Sequence, residues 1–80
     1  MTRAVTVVVE KSPSGGCGWW TKVGPVGRHL FGTPFEALNQ VRKTLEEQGA
    51  YAGERGRVLD LIIRELKTRR RVEVTAEVAS

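Results

Sequence analysis

The stretch Thr33-Pro34-Phe35-Glu36 marks the point where a strand-forming region gives way to a helix. A threonine before a helix accepts a hydrogen bond from an N–H of the first turn, and proline is favoured at the first helical position. A glutamate three residues after the cap completes a capping box. We therefore predict a helix from Thr33 to about Gln48, closed by Gly49. The apolar side chains predicted to share its core-facing side, with Ala37 at the margin, are Phe35, Leu38, Val41 and Leu45.

Before this helix, the pattern predicts three strands joined as an antiparallel meander. Residues 3–10 contain a run of valines, which is typical of a central strand covered on both faces. Turn-forming residues at 12–16 and 24–27 separate this strand from a second one around the two tryptophans and from a short third one at residues 28–31.

After the helix, residues 50–56 are predicted to form a loop, and residues 57–69 fit two interpretations. Apolar side chains recur there at helical spacing, but leucine and isoleucine also alternate as in a strand. Residues 71–78 alternate cleanly between apolar and polar side chains and predict a strand. The expected fold is a single α+β domain over residues 1–80: a three-stranded antiparallel meander, an amphipathic helix, a second helix or a strand, and a C-terminal strand.

Trp19 and Trp20 are adjacent within the second predicted strand. Successive strand residues point to opposite faces of a sheet, so one core cannot bury both rings. Trp19 shares a face with Cys17 and Val23 and is predicted to pack in the core. Trp20 shares the other face with Lys22 and is predicted to contact a partner.

The residues needed for most kinds of catalysis are scarce. The chain has one histidine, His29, and one cysteine, Cys17, and its acidic residues are spread along the sequence. A nucleophile needs an activating base, and a metal site needs three or four ligands at recognisable spacing. We therefore expect no enzymatic activity, no cofactor and no metal.

Basic residues outnumber acidic ones, 13 to 9, and give a net charge of +4. The densest run is Lys67-Thr68-Arg69-Arg70-Arg71. These side chains could contact phosphates, bind carboxylates of a protein, or complement the C-terminal dipole of a preceding helix. The predicted partner-contacting residues are Trp20, Lys22, Arg28, Lys67, Arg69, Arg70 and Arg71.

Other patterns bear on location and self-association. No run approaches the roughly 18 apolar residues of a membrane span, the first residues lack the apolar region of a signal peptide, and a lone cysteine suits a reducing compartment. We expect a cytoplasmic protein that does not contact membranes. An edge strand ending at Val78 could pair with a second copy, so a homodimer is possible.

Gly32, Thr33, Glu36, Ala37 and Leu38 resemble the run that introduces a helix in HicB-type antitoxins, which carry a partial RNase H-like sheet. The resemblance extends over the strands before this run, about half of the chain. In size and type the chain is also similar to phage-encoded anti-CRISPR and other anti-defence inhibitors. That likeness implies docking on a protein or ribonucleoprotein effector and blocking of its nucleic-acid site. The alternative is direct nucleic-acid binding, or a HicB-like antitoxin module.

Overall fold

The computed structural model describes residues 2–12, 18–25 and 29–79. The elements, in chain order, are β1 (Thr2–Lys11), β2 (Trp19–Val23), β3 (His29–Phe31), α1 (Pro34–Glu47), α2 (Ala52–Leu66) and β4 (Arg71–Ala79). The strands form one sheet in the order β3-β2-β1-β4, and every neighbouring pair is antiparallel. The predicted α+β class, with its meander and C-terminal strand, is confirmed.

Strand β1 lies at the centre of the sheet, between β2 and β4, as its valine run predicted. Val5, Val7 and Val9 are buried in the core, whereas Val8, on the opposite face, is only partly buried. The prediction that this strand is covered on both faces was therefore wrong. The reason is that α1 and α2 both pack against the same face of the sheet, and no described helix covers the other face, which we call the open face.

Helix α1 begins where the capping residues predicted. Thr33 Oγ1 accepts a hydrogen bond from Glu36 N at 3.2 Å, and Pro34 is the first helical residue. At the other end Gly49 adopts a φ of +95°, a conformation that favours glycine. The carbonyl of Gly49 accepts a hydrogen bond from Ala79 N at 3.1 Å, so the end of α1 is tied to the end of β4.

The buried face of α1 differs from the predicted one. Phe35 is 80% exposed and Leu38 is only partly buried. The residues that the helix buries are Ala37, Val41, Thr44 and Leu45. These follow the spacing of a single helical stripe, and Phe35 lies about 200° around the helix from Ala37. Phe35 is therefore excluded from the core and faces solvent.

Helix α2 confirms the helical interpretation of residues 57–69 and excludes the strand. It begins earlier than predicted, at Ala52, inside the region expected to be a loop, and it ends at Leu66. The sequence carries no local signal for this start, because Tyr51 makes no side-chain capping bond and glycines, which disfavour helices, occupy positions 53 and 56 in the first turns. The helix buries Val58 and Ile62 against the sheet.

The core lies between the two helices and one face of the sheet, with Leu45 and Ile62 among its fully buried side chains. Trp19 packs against this core, next to the buried Thr21 on the same strand face. Trp20 is partly buried and lies on the open face, with the exposed Lys22. The assignment of the two rings to opposite faces of the sheet is therefore confirmed.

Candidate functional site

Three of the predicted contact residues, Trp20, Lys22 and Arg71, lie on the open face of the sheet. The strand register aligns Trp20 with Glu10 and Glu10 with Arg71, so Trp20 and Arg71 are two strands apart, on the order of 10 Å. Lys22, Glu10 and Arg71 line a shallow hollow of about 240 Å³. Arg71 also donates a hydrogen bond to the Glu73 carboxylate at 3.0 Å. Acidic side chains are thus interleaved with the cations on this face.

A second set of predicted residues, Lys67, Arg69 and Arg70, lies in the connection between α2 and β4. Together with Trp19 and Lys11 they line a hollow of about 360 Å³ at the helix-covered side of the sheet. The ammonium of Lys11 lies 5.9 Å from the centroid of the Trp19 ring, within cation–π range. We call this arrangement the basic hollow.

The sequence-predicted site is therefore divided between two surfaces of the protein. Arg70 and Arg71 are neighbours in sequence, but Arg71 points to the open face whereas Arg70 lines the basic hollow. The same alternation separates Trp19 from Trp20. Arg28 lies outside the described residues.

The charges in the basic hollow are only partly compensated. Arg69 Nε lies 3.1 Å from the Glu65 carboxylate, in an exposed i,i+4 ion pair. Lys67 and Arg70 are exposed and form no ion pair within the part of the chain that the structure describes. The hollow thus presents positive charge beside an aromatic ring.

Next to the basic hollow, an apolar groove runs between α1 and α2. We call it the interhelical groove. One end has a volume of about 420 Å³ and is lined by Trp19, Pro34, Phe35, Leu38, Ile63, Leu66 and Lys67. The groove continues past Phe35 into a space of about 320 Å³ that Leu59 and Arg42 also line.

Two large apolar side chains on the groove are exposed to an unusual degree. Phe35 is 80% exposed and Ile63 is 45% exposed. Adjacent large apolar side chains exposed on two different elements mark a surface that a partner can cover. One end of the groove meets the cation Lys67 at the basic hollow, and the other end meets Arg42 on α1, which forms an exposed ion pair with Glu46 at 3.6 Å.

Sequence reasoning missed the residues that form this groove. It placed Phe35 in the core and did not single out Ile63, Leu66 or Lys11. A usable signal was the pair Ile62-Ile63, because two adjacent helical residues are about 100° apart and one core contact cannot bury both equally. The structure buries Ile62 fully and leaves Ile63 on the groove.

The histidine and the acidic side chains of the described residues are not gathered in one cluster. Residues 2–12, 18–25 and 29–79 contain no group of three or more His, Cys, Asp or Glu side chains placed to hold a metal ion. His29 is exposed on β3, and its ring lies 6.4 Å from that of Phe31. Neither of the two described helices is long and apolar enough to cross a membrane.

Comparison with known proteins finds no protein-family model, no curated protein and no solved structure that matches the chain.

Proposed function

We propose that this protein is a non-catalytic binding module that docks on a protein or ribonucleoprotein partner through the interhelical groove and thereby blocks the partner's nucleic-acid site. The observation that carries the proposal is the exposure of Phe35 and Ile63 beside Trp19, in a groove with cations at its ends. This mode of action would be that of the anti-CRISPR and anti-defence inhibitors which the chain resembles in size and type.

The groove has the composition of an interface centre. Aromatic side chains with a polar rim supply most of the energy in many protein complexes, because they fill pockets and lose water on binding. Folding leaves most of Phe35 and nearly half of Ile63 exposed to solvent, so this apolar area remains available for binding. Burying the exposed part of Phe35 against a partner is worth about 1.5–3 kcal/mol, and burying the smaller exposed part of Ile63 about half as much.

The cations indicate the chemistry of the partner. Lys67 and Arg70 have no carboxylate partner in the described part of the chain, and Lys11 lies over the Trp19 ring. A complementary surface would place apolar side chains in the groove and carboxylates or phosphates over the basic hollow. A helix with leucine or phenylalanine on one face and acidic residues beside them has this chemistry.

The test is a comparison of matched surface variants against the partner captured from the native host. Phe35→Ala and Ile63→Ala each remove an exposed groove side chain, so both variants should fold. Leu30→Ala is the control, because Leu30 is also exposed (55%) but lies away from the groove, beside its cross-strand neighbour Trp20 on the open face. Each groove variant should weaken the measured affinity for the purified partner about tenfold or more, and the control by about twofold or less.

The blocking step has its own measurement. Wild-type protein should displace nucleic acid from the captured partner, and the Phe35→Ala, Ile63→Ala double variant should not. If no partner is captured, or if Leu30→Ala weakens binding and the groove variants do not, the proposal is rejected.

A second candidate function, direct nucleic-acid binding, is favoured by the basic hollow. Three cations, Lys11, Lys67 and Arg70, line this hollow together with Trp19, and stacking on aromatic rings beside cations is typical of single-strand binding surfaces. If it is correct, the affinity for unrelated RNA or DNA should fall steeply with salt. Arg70→Ala should then reduce the logarithmic salt slope by about one. A HicB-like module that acts on nucleic acid falls within this candidate.

A further inference from the structure

Strand β4 forms one edge of the sheet, and its backbone groups alternate between the neighbouring strand and solvent. Lys11 N donates to Arg70 O at 2.8 Å, which shows that even-numbered residues in this segment point their backbone groups toward β1. The N–H and C=O groups of Arg71, Glu73, Thr75 and the later odd-numbered residues therefore point outward. Such a row of outward groups is a template for a further strand.

Side chains of α2 occupy the second half of this edge. Arg57 Nη2 donates to Thr75 O at 3.0 Å, and Glu77 N donates to Glu54 Oε2 at 2.8 Å. Arg57 and Glu54 also bind each other through two hydrogen bonds of 2.7 Å. We call this pair the clasp. A residue of a parallel neighbouring strand would donate to the Thr75 carbonyl and accept from the Glu77 N–H in the same way. The clasp therefore occupies the place of such a residue.

The clasp is charged under ordinary conditions. The hydrogen bond from Arg57 and that from the Glu77 backbone lower the pKa of Glu54 to about 2. The carboxylate therefore remains an acceptor at neutral pH. Beyond the clasp, Gly49 O accepts from Ala79 N, so the clasp and Gly49 together bind backbone groups along the second half of β4.

The first half of the edge is open. The outward backbone groups of Arg71 and Glu73 have no hydrogen-bond partner in the described part of the chain. Beside them, a groove of about 430 Å³ separates β4 from α2, with Leu61 and Val72 among the residues that line it. The structure thus leaves a short segment, centred on Val72, to which a strand can be added.

We propose that this segment pairs antiparallel with the same segment of a second copy of the chain, about a twofold axis at Val72. In this register Arg71 of each copy lies opposite Glu73 of the other copy, so the twofold axis creates two equivalent pairs. In each pair the outward N–H and C=O groups of both residues form hydrogen bonds with each other. The two Val72 side chains face each other on the helix side of the sheet. Each chain supplies both the cation and the carboxylate, so the edge is complementary to itself.

The charges disfavour the register centred on Glu73, and the clasp blocks the one centred on Val74. A twofold axis at Glu73 would place the two Glu73 carboxylates directly opposite each other, which is destabilising. An axis at Val74 would need the Thr75 carbonyl, which Arg57 already occupies. Within the monomer Arg71 and Glu73 bind each other at 3.0 Å while both are about half exposed, so both can exchange partners on pairing.

Charge exchange tests the register. We expect sedimentation equilibrium of the wild-type protein to show a weak dimer, with a dissociation constant between about 10 µM and 1 mM, because the paired segment is short. Arg71→Glu alone and Glu73→Arg alone each bring like charges together twice and should weaken the dimer about tenfold. The double variant restores opposite charges and should restore the wild-type constant.

Two further variants separate this dimer from other kinds of self-association. The Glu73 N–H points away from β1, so Glu73→Pro removes a hydrogen bond of the proposed dimer and none within the sheet of the monomer. This variant should fold but should not dimerise. Phe35→Ala should leave it unchanged, because Phe35 lies on the interhelical groove. A protein that is monomeric at about 1 mM, or a double variant no better than the single ones, would overturn the proposal.

Discussion

Replacing Glu54 by glutamine should lower the free energy of unfolding at neutral pH and leave it nearly unchanged in strong acid. The glutamine oxygen can still accept from the Glu77 N–H, so the change removes the charge opposite Arg57 and keeps the shape of the side chain. The contacts lower the pKa of Glu54 from 4.5 to about 2. This shift sets an upper limit of about 3 kcal/mol on the contribution of the ionised carboxylate to the free energy of unfolding. Because the Arg57 side chain is 47% exposed, solvent screening reduces this to about 1 kcal/mol.

The direction of the pH dependence follows from the lowered pKa of Glu54. A carboxylate whose folded-state pKa lies below its unfolded value stabilises the protein fully above pH 4.5, and this contribution is lost as the pH falls toward about 2. The difference between wild type and Glu54→Gln should therefore be nearly constant from pH 7 to about pH 5 and should be lost progressively as the pH falls from about 5 toward 2.

Urea unfolding followed by circular dichroism at several pH values measures this difference. The matched control is Glu65→Gln, which removes the more exposed ion pair to Arg69 and should cost less than about 0.5 kcal/mol at any pH. A difference for Glu54→Gln that stays constant down to pH 2.5, or grows in acid, would refute the assignment of the stabilising contact to the ionised carboxylate.

The remaining predictions concern the tryptophans and the glycines. Trp19→Ala should lower the unfolding free energy by about 2–3 kcal/mol because Trp19 packs against the core, and Trp20→Ala by about 1 kcal/mol; urea titrations of both should show this order. Gly49→Ala should lower the melting temperature and cost about 1–2 kcal/mol, because φ is +95° and the new Cβ would lie 3.0 Å from Ala79 Cβ. Gly56→Ala, with nothing within 4 Å of the new Cβ in helix α2, should raise the melting temperature and add about 0.5–1 kcal/mol.

The sequence predicted those elements whose signals are local. The start of α1 follows from Thr33 and Pro34, and β4 follows from a strict alternation of apolar and polar residues. The start of α2 was missed because Tyr51 provides no side-chain cap and glycines occupy the first turns. Where local preference is weak, packing against the sheet decides the structure.

The candidate site was predicted less completely, because surfaces depend on which elements become neighbours. The exposure of Phe35 reflects the rotation of α1 that buries Ala37 and Thr44, and the apolar pattern alone does not specify this rotation. The sequence prediction grouped Trp20 with the whole basic run, and the structure places Arg70 and Arg71 of that run on opposite sides of the sheet because strand residues alternate.

The pairing of β1 with β4 also constrains how the chain folds during its synthesis. Strand β1 precedes the other described strands in the chain, and one of its two neighbours in the sheet is β4, which follows both helices. The β1-β2-β3 meander and the α1–α2 pair are local and can form earlier, but one edge of the valine-rich β1 stays unpaired until residues 71–79 emerge. A nascent chain stalled before residue 71 should therefore expose an aggregation-prone edge and be a chaperone substrate.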